Sequence, residues 1–332
     1  MKAAYITAYG GPEKLRVGGR PAPATGHYDL LVQVQAASIN PVDYKIRLGM
    51  LKIMQAYRMP LILGQDLSGV VIDAGPKVSR FKRGDEVFAR LDKSGIGAFA
   101  EFAAVRESDA ALKPANLSHI EAASIPLVGL TSWQVMQDKM GLKGGQTVLI
   151  HAGSGGVGTF AIQLAKYLGA QVVTTASSRN ADLLKRLGAD IVVDYQTQRF
   201  EELVKDPDLV FDTQGGDTLL RSIAITKPGG VVITIGGIPT PRVMQEWGLA
   251  KWKQWLAALM TRKPRALATR RGVRFDYHFM SPSGAQLAAI GHLLEKKAII
   301  PVIDRVFPLD QAREAMAYAE AGHVVGKVVI TP

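Results

Sequence analysis

Thr147-Val-Leu-Ile-His-Ala-Gly-Ser-Gly-Gly-Val-Gly158 is the stretch whose reading decides the fold. Val148, Leu149 and Ile150 have the character of a short buried strand, and Gly153, Gly155 and Gly158 follow the pattern G-x-G-x-x-G. In a strand–turn–helix unit the first glycine permits the tight turn. The second lets a pyrophosphate approach the backbone, and the third lets helix and strand pack closely. Behind the turn, Val157, Phe160, Ala161, Leu164, Ala165 and Leu168 recur as one helical stripe, and Gly169 supplies a stop. The order predicts a dinucleotide site with the helix N-terminus aimed at the phosphates. The competing reading is a tight turn with no ligand.

Beyond the turn the alternation continues. Gln171–Ala176, Ile191–Asp194, Leu209–Asp212 and Gly230–Gly236 read as further strands, with a helix over Asn180–Leu187 that stops at Gly188. Strands and helices at this spacing predict a doubly wound parallel sheet. Gly272–Phe279 has strand character and is expected to close it. Before the turn, residues 1–125 look different. Leu30, Val32, Val34 and Ala36 alternate with Leu31, Gln33 and Gln35, and turn signals recur at Gly10-Gly11-Pro12, Gly75-Pro76 and Arg83-Gly84-Asp85. Short strands with frequent turns predict a small barrel-like β domain. After the sheet, Ser281 is the expected N-cap of another helix with Pro282 at its first position. The tail, a helix over Asp310–Ala321 and a strand Val324–Ile330, is expected to return to the first domain.

An acidic residue at the end of the second strand ordinarily binds the ribose 2′-hydroxyl of NAD. Here that place holds Ser177-Ser178-Arg179-Asn180. Two hydroxyls and a permanently charged guanidinium suit a dianionic 2′-phosphate, so the expected cofactor is NADP(H). The pyrophosphate is expected against Ser154, Gly155, Gly156 and Val157, and the nicotinamide half along Gly236 and Gly237. His151, in the strand entering the turn, reads as a structural histidine rather than a base.

The 332 residues suffice for two domains, and 47% apolar content allows a sizeable core. The absence of cysteine excludes disulfides, zinc–thiolate sites and a thiol nucleophile. No signal-like segment opens the chain, since Thr7 and then Gly10-Gly11-Pro12 break its apolar run; the expected location is cytoplasmic.

The net charge of +11 is densest between Arg242 and Arg274. Leu249, Trp252, Leu256, Leu259 and Met260 mark one face of a helix there, widened by Trp247 and Trp255. Lys251, Lys253, Arg262, Lys263, Arg265, Arg270, Arg271 and Arg274 surround it. One reading is a helix packed on its own domain with a solvated charged side. The other is a lid or membrane-surface helix giving weak contact through 242–274. No nucleic-acid-binding pattern accompanies the charge, so nucleic acid is not an expected partner.

Several separated motifs now converge: Ile39-Asn-Pro-Val-Asp-Tyr-Lys45, Leu63-Gly-Gln-Asp-Leu-Ser-Gly-Val-Val71, Phe81-Lys-Arg-Gly-Asp-Glu-Val-Phe88, Pro126-Leu-Val-Gly-Leu-Thr-Ser-Trp133, Asp212-Thr-Gln-Gly-Gly-Asp217 and Gly326-Lys-Val-Val329. With the glycine turn they resemble, over nearly the whole length, the medium-chain dehydrogenase/reductases of the zinc-independent, quinone-oxidoreductase-like branch. The resemblance implies a GroES-like β domain built from residues 1–125 and 280–332, split by a Rossmann domain at 126–279, and a homodimer. Zinc-dependent relatives place Cys at Asn40, His-Glu at Gln65-Asp66 and Cys near Leu127. None of those ligands is present, so no metal is expected.

The implied reaction is metal-free hydride transfer from NADPH to an electrophilic small molecule, a quinone or an α,β-unsaturated carbonyl. The alternatives are an NADP-dependent alcohol or aldehyde dehydrogenase and a non-catalytic NADPH-binding sensor. By resemblance Asn40 and Thr131 lie beside the nicotinamide and its ribose. Tyr44 and Lys45 are the candidates for polarising the substrate oxygen or relaying a proton. Phe279 and Met280 are candidates for backbone contact with the nicotinamide.

Overall fold

The computed structural model describes all 332 residues. The chain forms two compact units, Met1–Leu130 with Ser281–Pro332, and Thr131–Met280.

The second unit contains a six-stranded parallel sheet. Its order is Ile191–Asp194, Gln171–Ala176, Thr147–Ile150, Leu209–Asp212, Val231–Thr234, Arg274–Tyr277. Numbered along the chain this is 3-2-1-4-5-6, the doubly wound arrangement whose strand order reverses beside the first strand. Val148, Leu149, Ile150, Val210 and Phe211 are fully buried, as the strands of a parallel sheet covered on both faces must be. Ile150 is level with Thr174 on one side and Phe211 on the other, so the glycine turn leaves the sheet between two strands that run on to Ala176 and Asp212. The Arg274–Tyr277 strand pairs only with Val231–Thr234 and forms the sheet edge.

The first unit is mostly antiparallel. Asp29–Ile39 is its spine and pairs with Asp66–Ala74, Phe102–Arg106 and the last strand, Lys327–Thr331. Leu30, Val32, Val34 and Ala36 point into the core, as their alternation predicts. The tail does return: Val328 is opposite Ile39. A smaller sheet joins Leu15–Gly19, Lys2–Ile6 and Leu61–Ile62.

Four local expectations need correction. The helix after the sheet is Gly284–Glu295, capped by Ser283, whose hydroxyl accepts from the Gln286 N–H at 3.3 Å; Ser281 and Pro282 lie outside it. Gly284 enters against the Ala110 carbonyl, where a Cβ would come within 2.2 Å, so the contact fixes where the helix starts. The tail helix is a 3₁₀ turn at Leu309–Gln311 followed by Ala312–Glu320. The last strand starts at Lys327 because Gly326 takes φ +78° under the Val302 carbonyl. Residues 240–275 are not one helix but three, Pro241–Glu246, Lys251–Met260 and Arg262–Arg271, before the edge strand. Gly248 at φ +67° ends the first. Pro264 lacks the N–H needed to continue the second and sits in the first turn of the third.

Candidate active site

In the second unit the glycine turn has the geometry its pattern demands. Ala152, immediately before it, takes the left-handed φ of +52°. At Gly158 a Cβ would lie 2.4 Å from the Ala152 carbonyl, and at Gly153 one would lie 2.1 Å from the Thr174 hydroxyl. These two glycines are required by the fold. Gly155 is different: a Cβ there would meet only the Ala152 carbonyl, at 3.5 Å. The protein does not need a glycine at Gly155, whereas a phosphate approaching the backbone does. Gly155 is also the N-cap of the helix Gly156–Tyr167 and offers no side chain, so the first-turn N–H groups face outward past Ser154, Gly156 and Val157. This cradle fits a pyrophosphate.

The second strand ends at Ala176, and Ser177 caps a 3₁₀ turn over Ser178–Asn180. Ser178 and Arg179 are exposed, and Arg179 makes no ion pair. Tyr195, exposed at the end of the neighbouring strand, donates its backbone N–H to the Ala176 carbonyl at 3.3 Å. Its backbone therefore lies next to this turn. Sequence reasoning passed over Tyr195 because the parallel register that brings the two strand ends together is not visible in a local window.

Asp212 ends the fourth strand buried, accepting from the N–H groups of Gln214 and Gly215 and from Thr234 Oγ1 at 2.6 Å. It ties the 212–217 turn to the fifth strand, where Gly215 and Gly236 touch backbone to backbone. Gly237, at φ +77°, has open space around its Cα. Thr131 is buried in the helix Pro126–Trp133. Phe279 stacks on Trp247 with ring centroids 4.3 Å apart, so Trp247 packs inward and does not widen the exposed face. Met280, half-buried, is the last residue of the unit. His151 is buried between Thr175 Oγ1, 3.1 Å from its Nδ1, and Ser222 Oγ, 2.8 Å from its Nε2. Ser222 spends its proton on the Thr218 carbonyl, so Nε2 carries the histidine proton. Burial, reinforced by Arg221, pushes the imidazole down to about 4 and keeps it neutral. Its role is structural.

The first unit holds a candidate cluster of its own. Asn40 precedes the helix Pro41–Arg47, and its backbone N–H donates to Asp43 Oδ2 at 2.8 Å. Its side chain is tied at both ends: Nδ2 donates to Asp66 Oδ2 at 2.8 Å, and Oδ1 accepts from Lys327 Nζ at 2.5 Å. Lys327 also donates to the Ile39 carbonyl at 2.8 Å. Asp66 accepts from the Leu127 N–H at 3.1 Å and lies 3.6 Å from Arg90 Nε. Arg90 donates to Gln65 Oε1 and to the Leu91 carbonyl. Asp43, Asp66, Arg90 and Lys327 are all buried, two acids balanced by two bases.

Desolvation dominates this cluster. Burial lifts the Asp43 carboxyl to about 7 despite the Asn40 N–H, and lowers the Lys327 amine to about 8 despite both aspartates. Arg90 is likewise lowered by burial. Asp43 Oδ1 has no hydrogen-bond partner. Burial, then the Glu320 and Asp43 carboxylates, raise the half-buried Tyr44 phenol, which packs on the core. Lys45 is half-exposed and outside every ion pair. Sequence reasoning missed Asp43, Arg90 and Lys327 as members of one cluster; their motifs lie far apart and carry no shared spacing.

The family model for an alcohol dehydrogenase GroES-like domain matches residues 26–115, and one for a zinc-binding dehydrogenase matches residues 187–330. The chain is 36% identical to the mitochondrial NAD(P)H oxidoreductase RTN4IP1 of Danio rerio, covering 100% of this chain and 91% of that protein. It is 31% identical to the chloroplastic NADPH-dependent alkenal/one oxidoreductase of Arabidopsis thaliana, covering 100% and 80%. The solved structure of the quinone oxidoreductase from Coxiella burnetii superimposes with a TM-score of 0.88 at 33% identity, covering 100% and 99%. The chain is therefore a medium-chain dehydrogenase/reductase, built from a GroES-like domain and a Rossmann domain. Within that family it belongs to the quinone-oxidoreductase-like branch.

The zinc implied by the second family model does not fit these residues. The positions taken by metal ligands in zinc-dependent relatives hold Asn40, Gln65, Asp66 and Leu127. Asn40 Oδ1 already accepts from the Lys327 ammonium and Gln65 Oε1 from the Arg90 guanidinium. Two neutral amide oxygens and one carboxylate, all facing side-chain cations, are a poor donor set for zinc. No group of three or more His, Asp or Glu side chains elsewhere could hold a metal.

Proposed function

We propose that the chain transfers hydride from NADPH to quinones or α,β-unsaturated carbonyls without a metal. The observation that carries this reading is the pairing of a phosphate-ready turn and the unpaired Arg179 with a family metal position filled by the chain's own cations. The names of the relatives, which include a quinone oxidoreductase and an NADPH-dependent alkenal/one oxidoreductase, support the same acceptors.

When bound, NADPH supplies the hydride. Ser154, Gly155, Gly156 and Val157 hold the pyrophosphate; Ser177, Ser178, Arg179 and Tyr195 hold the 2′-phosphate. Gly236, Gly237, Phe279 and Met280 line the nicotinamide half. On the substrate side, the Tyr44 phenol, which burial raises further above its ordinary range, is protonated at neutral pH and can donate to a developing oxyanion. Lys45 offers a further ammonium. Asn40, held by Lys327 and Asp66, keeps its second amide N–H for ribose or substrate, and Thr131 adds a hydroxyl. We also propose a homodimer, supported by the unpaired edge of the Arg274–Tyr277 strand, and a cytoplasmic location.

Steady-state assays of the full chain with NADPH and NADH, across quinones, enones, aldehydes and simple alcohols, test the proposal. Turnover of the first two classes with NADPH preferred supports it. NADPH binding with no acceptor turned over would favour the sensor, and alcohol oxidation would favour the dehydrogenase.

A further inference from the structure

The helix Lys251–Met260 is turned inside out for a helix of its own unit. Trp252, Trp255, Leu256 and Leu259 fall at i, i+3, i+4 and i+7, one continuous stripe, and Met260 extends it. That stripe faces solvent: Trp255 is 68% exposed, Trp252 58%, and Leu259 and Met260 55% each. The one buried residue of the helix is Ala257. The unit thus packs small residues inward and presents its large apolar residues outward, the reverse of a helix that serves the core. A continuous exposed stripe of two tryptophans, two leucines and a methionine marks an interaction surface.

The charge around the stripe identifies the partner. From Trp247 to Phe275 there are eight basic residues and no acidic one, within a chain whose net charge is +11. Lys251, Arg262, Lys263, Arg265, Arg270 and Arg271 are in no ion pair. Stripe and charge meet in one open concavity of about 770 Å³, lined by Leu259, Met260, Arg262, Lys263 and Arg270, with Arg221 on its far wall paired to Asp217 at 3.0 Å. A symmetric contact between two copies would set this positive patch against itself. A nucleic acid would answer the charge but leave the tryptophans and leucine without a partner.

We propose that Lys251–Arg271 is a membrane-docking element that seats the protein on an anionic phospholipid surface. Trp252, Trp255 and Leu259 enter the headgroup–acyl boundary, and the unpaired basic residues meet the lipid phosphates. No helix of the chain is long and apolar enough to cross a membrane, so the attachment is peripheral. Such a position would give a reductase access to lipophilic electrophiles; the docking itself is independent of the proposed reaction and is read without cofactor.

The test is co-sedimentation of the full chain with vesicles of phosphatidylcholine alone or mixed equally with phosphatidylglycerol. The expected result is binding to the anionic vesicles, weaker by about tenfold or more on phosphatidylcholine alone and weakened similarly by high salt. W252S/W255S and R262E/K263E should each reduce binding by about tenfold, while thermal stability and NADPH turnover of a water-soluble quinone are unchanged. Absence of binding to anionic vesicles overturns the proposal. So does self-association in sedimentation velocity that W255S abolishes, or binding to duplex DNA that R262E/K263E abolishes and W252S/W255S does not, when no vesicle binding accompanies it.

Discussion

Lys327 Nζ donates to Asn40 Oδ1 at 2.5 Å, across the pairing of the last strand with the Asp29–Ile39 strand. This bond joins the two ends of the chain at the residue before the Pro41–Arg47 helix. It places an ammonium where zinc-dependent members of the family hold a metal cation. Lys327→Met leaves the carboxylates of Asp66 and Asp43 with Arg90 as their only buried counter-charge. We expect a loss of about 3–5 kcal/mol in urea unfolding, since removing one partner of a buried ion cluster strands the others. Adding Asp66→Asn should recover part of that loss; strict additivity of the two losses would contradict the coupling.

Arg179 is exposed and unpaired beside Ser177 and Ser178. Arg179→Glu should raise the KM for NADPH by about tenfold to hundredfold, the worth of one or two charge-assisted hydrogen bonds, and leave the KM for NADH nearly unchanged. Equal losses for both cofactors would show that Arg179 does not read the 2′-phosphate.

Gly155 and Gly158 should respond differently to the same methyl group. Gly158→Ala drives a Cβ to 2.4 Å from a backbone carbonyl and should destabilise the fold by about 1–3 kcal/mol. Gly155→Ala has room within the protein and should melt like the native chain while binding NADPH more weakly. Calorimetry paired with cofactor titration separates the two, and normal NADPH affinity in Gly155→Ala would show that the phosphates do not approach this turn.

His151 carries a pH signature. Its folded pKa is lowered to about 4 from an ordinary 6.5, so between those values the unfolded chain binds the proton and the folded one does not. Its contribution is full above about pH 6.5 and lost toward pH 4, up to about 3 kcal/mol. Buried Asp43 acts oppositely: its raised pKa makes stability fall as pH rises from its ordinary 3.8 to about 7. The stability difference between the native chain and His151→Gln should therefore grow from pH 4 to 6.5, and that for Asp43→Asn should move the other way. A pH-independent difference for both variants would contradict these assignments.

The doubly wound sheet was legible because each strand is a local apolar run and the glycine-rich turn, Gly169 and Gly188 punctuate the alternation. The strand order 3-2-1-4-5-6 came only from the structure, since no local pattern records which strands are neighbours. The charge cluster was not legible. Asp43, Asp66, Arg90 and Lys327 meet only through antiparallel registers, which no local pattern records. The helix Lys251–Met260 shows a different limit. Its period told which residues share a face, and Trp252, Leu256 and Leu259 do share one. It did not tell which way that face points, because direction depends on what the rest of the unit leaves uncovered.

Hydride transfer from NADPH without a metal is tested most directly by NADPH oxidation with a quinone and with an enone in chelator-treated protein of known zinc content. Full turnover with no stoichiometric zinc, unchanged when zinc is added, is the expected result. Turnover lost on chelation and restored by zinc would contradict metal-free transfer.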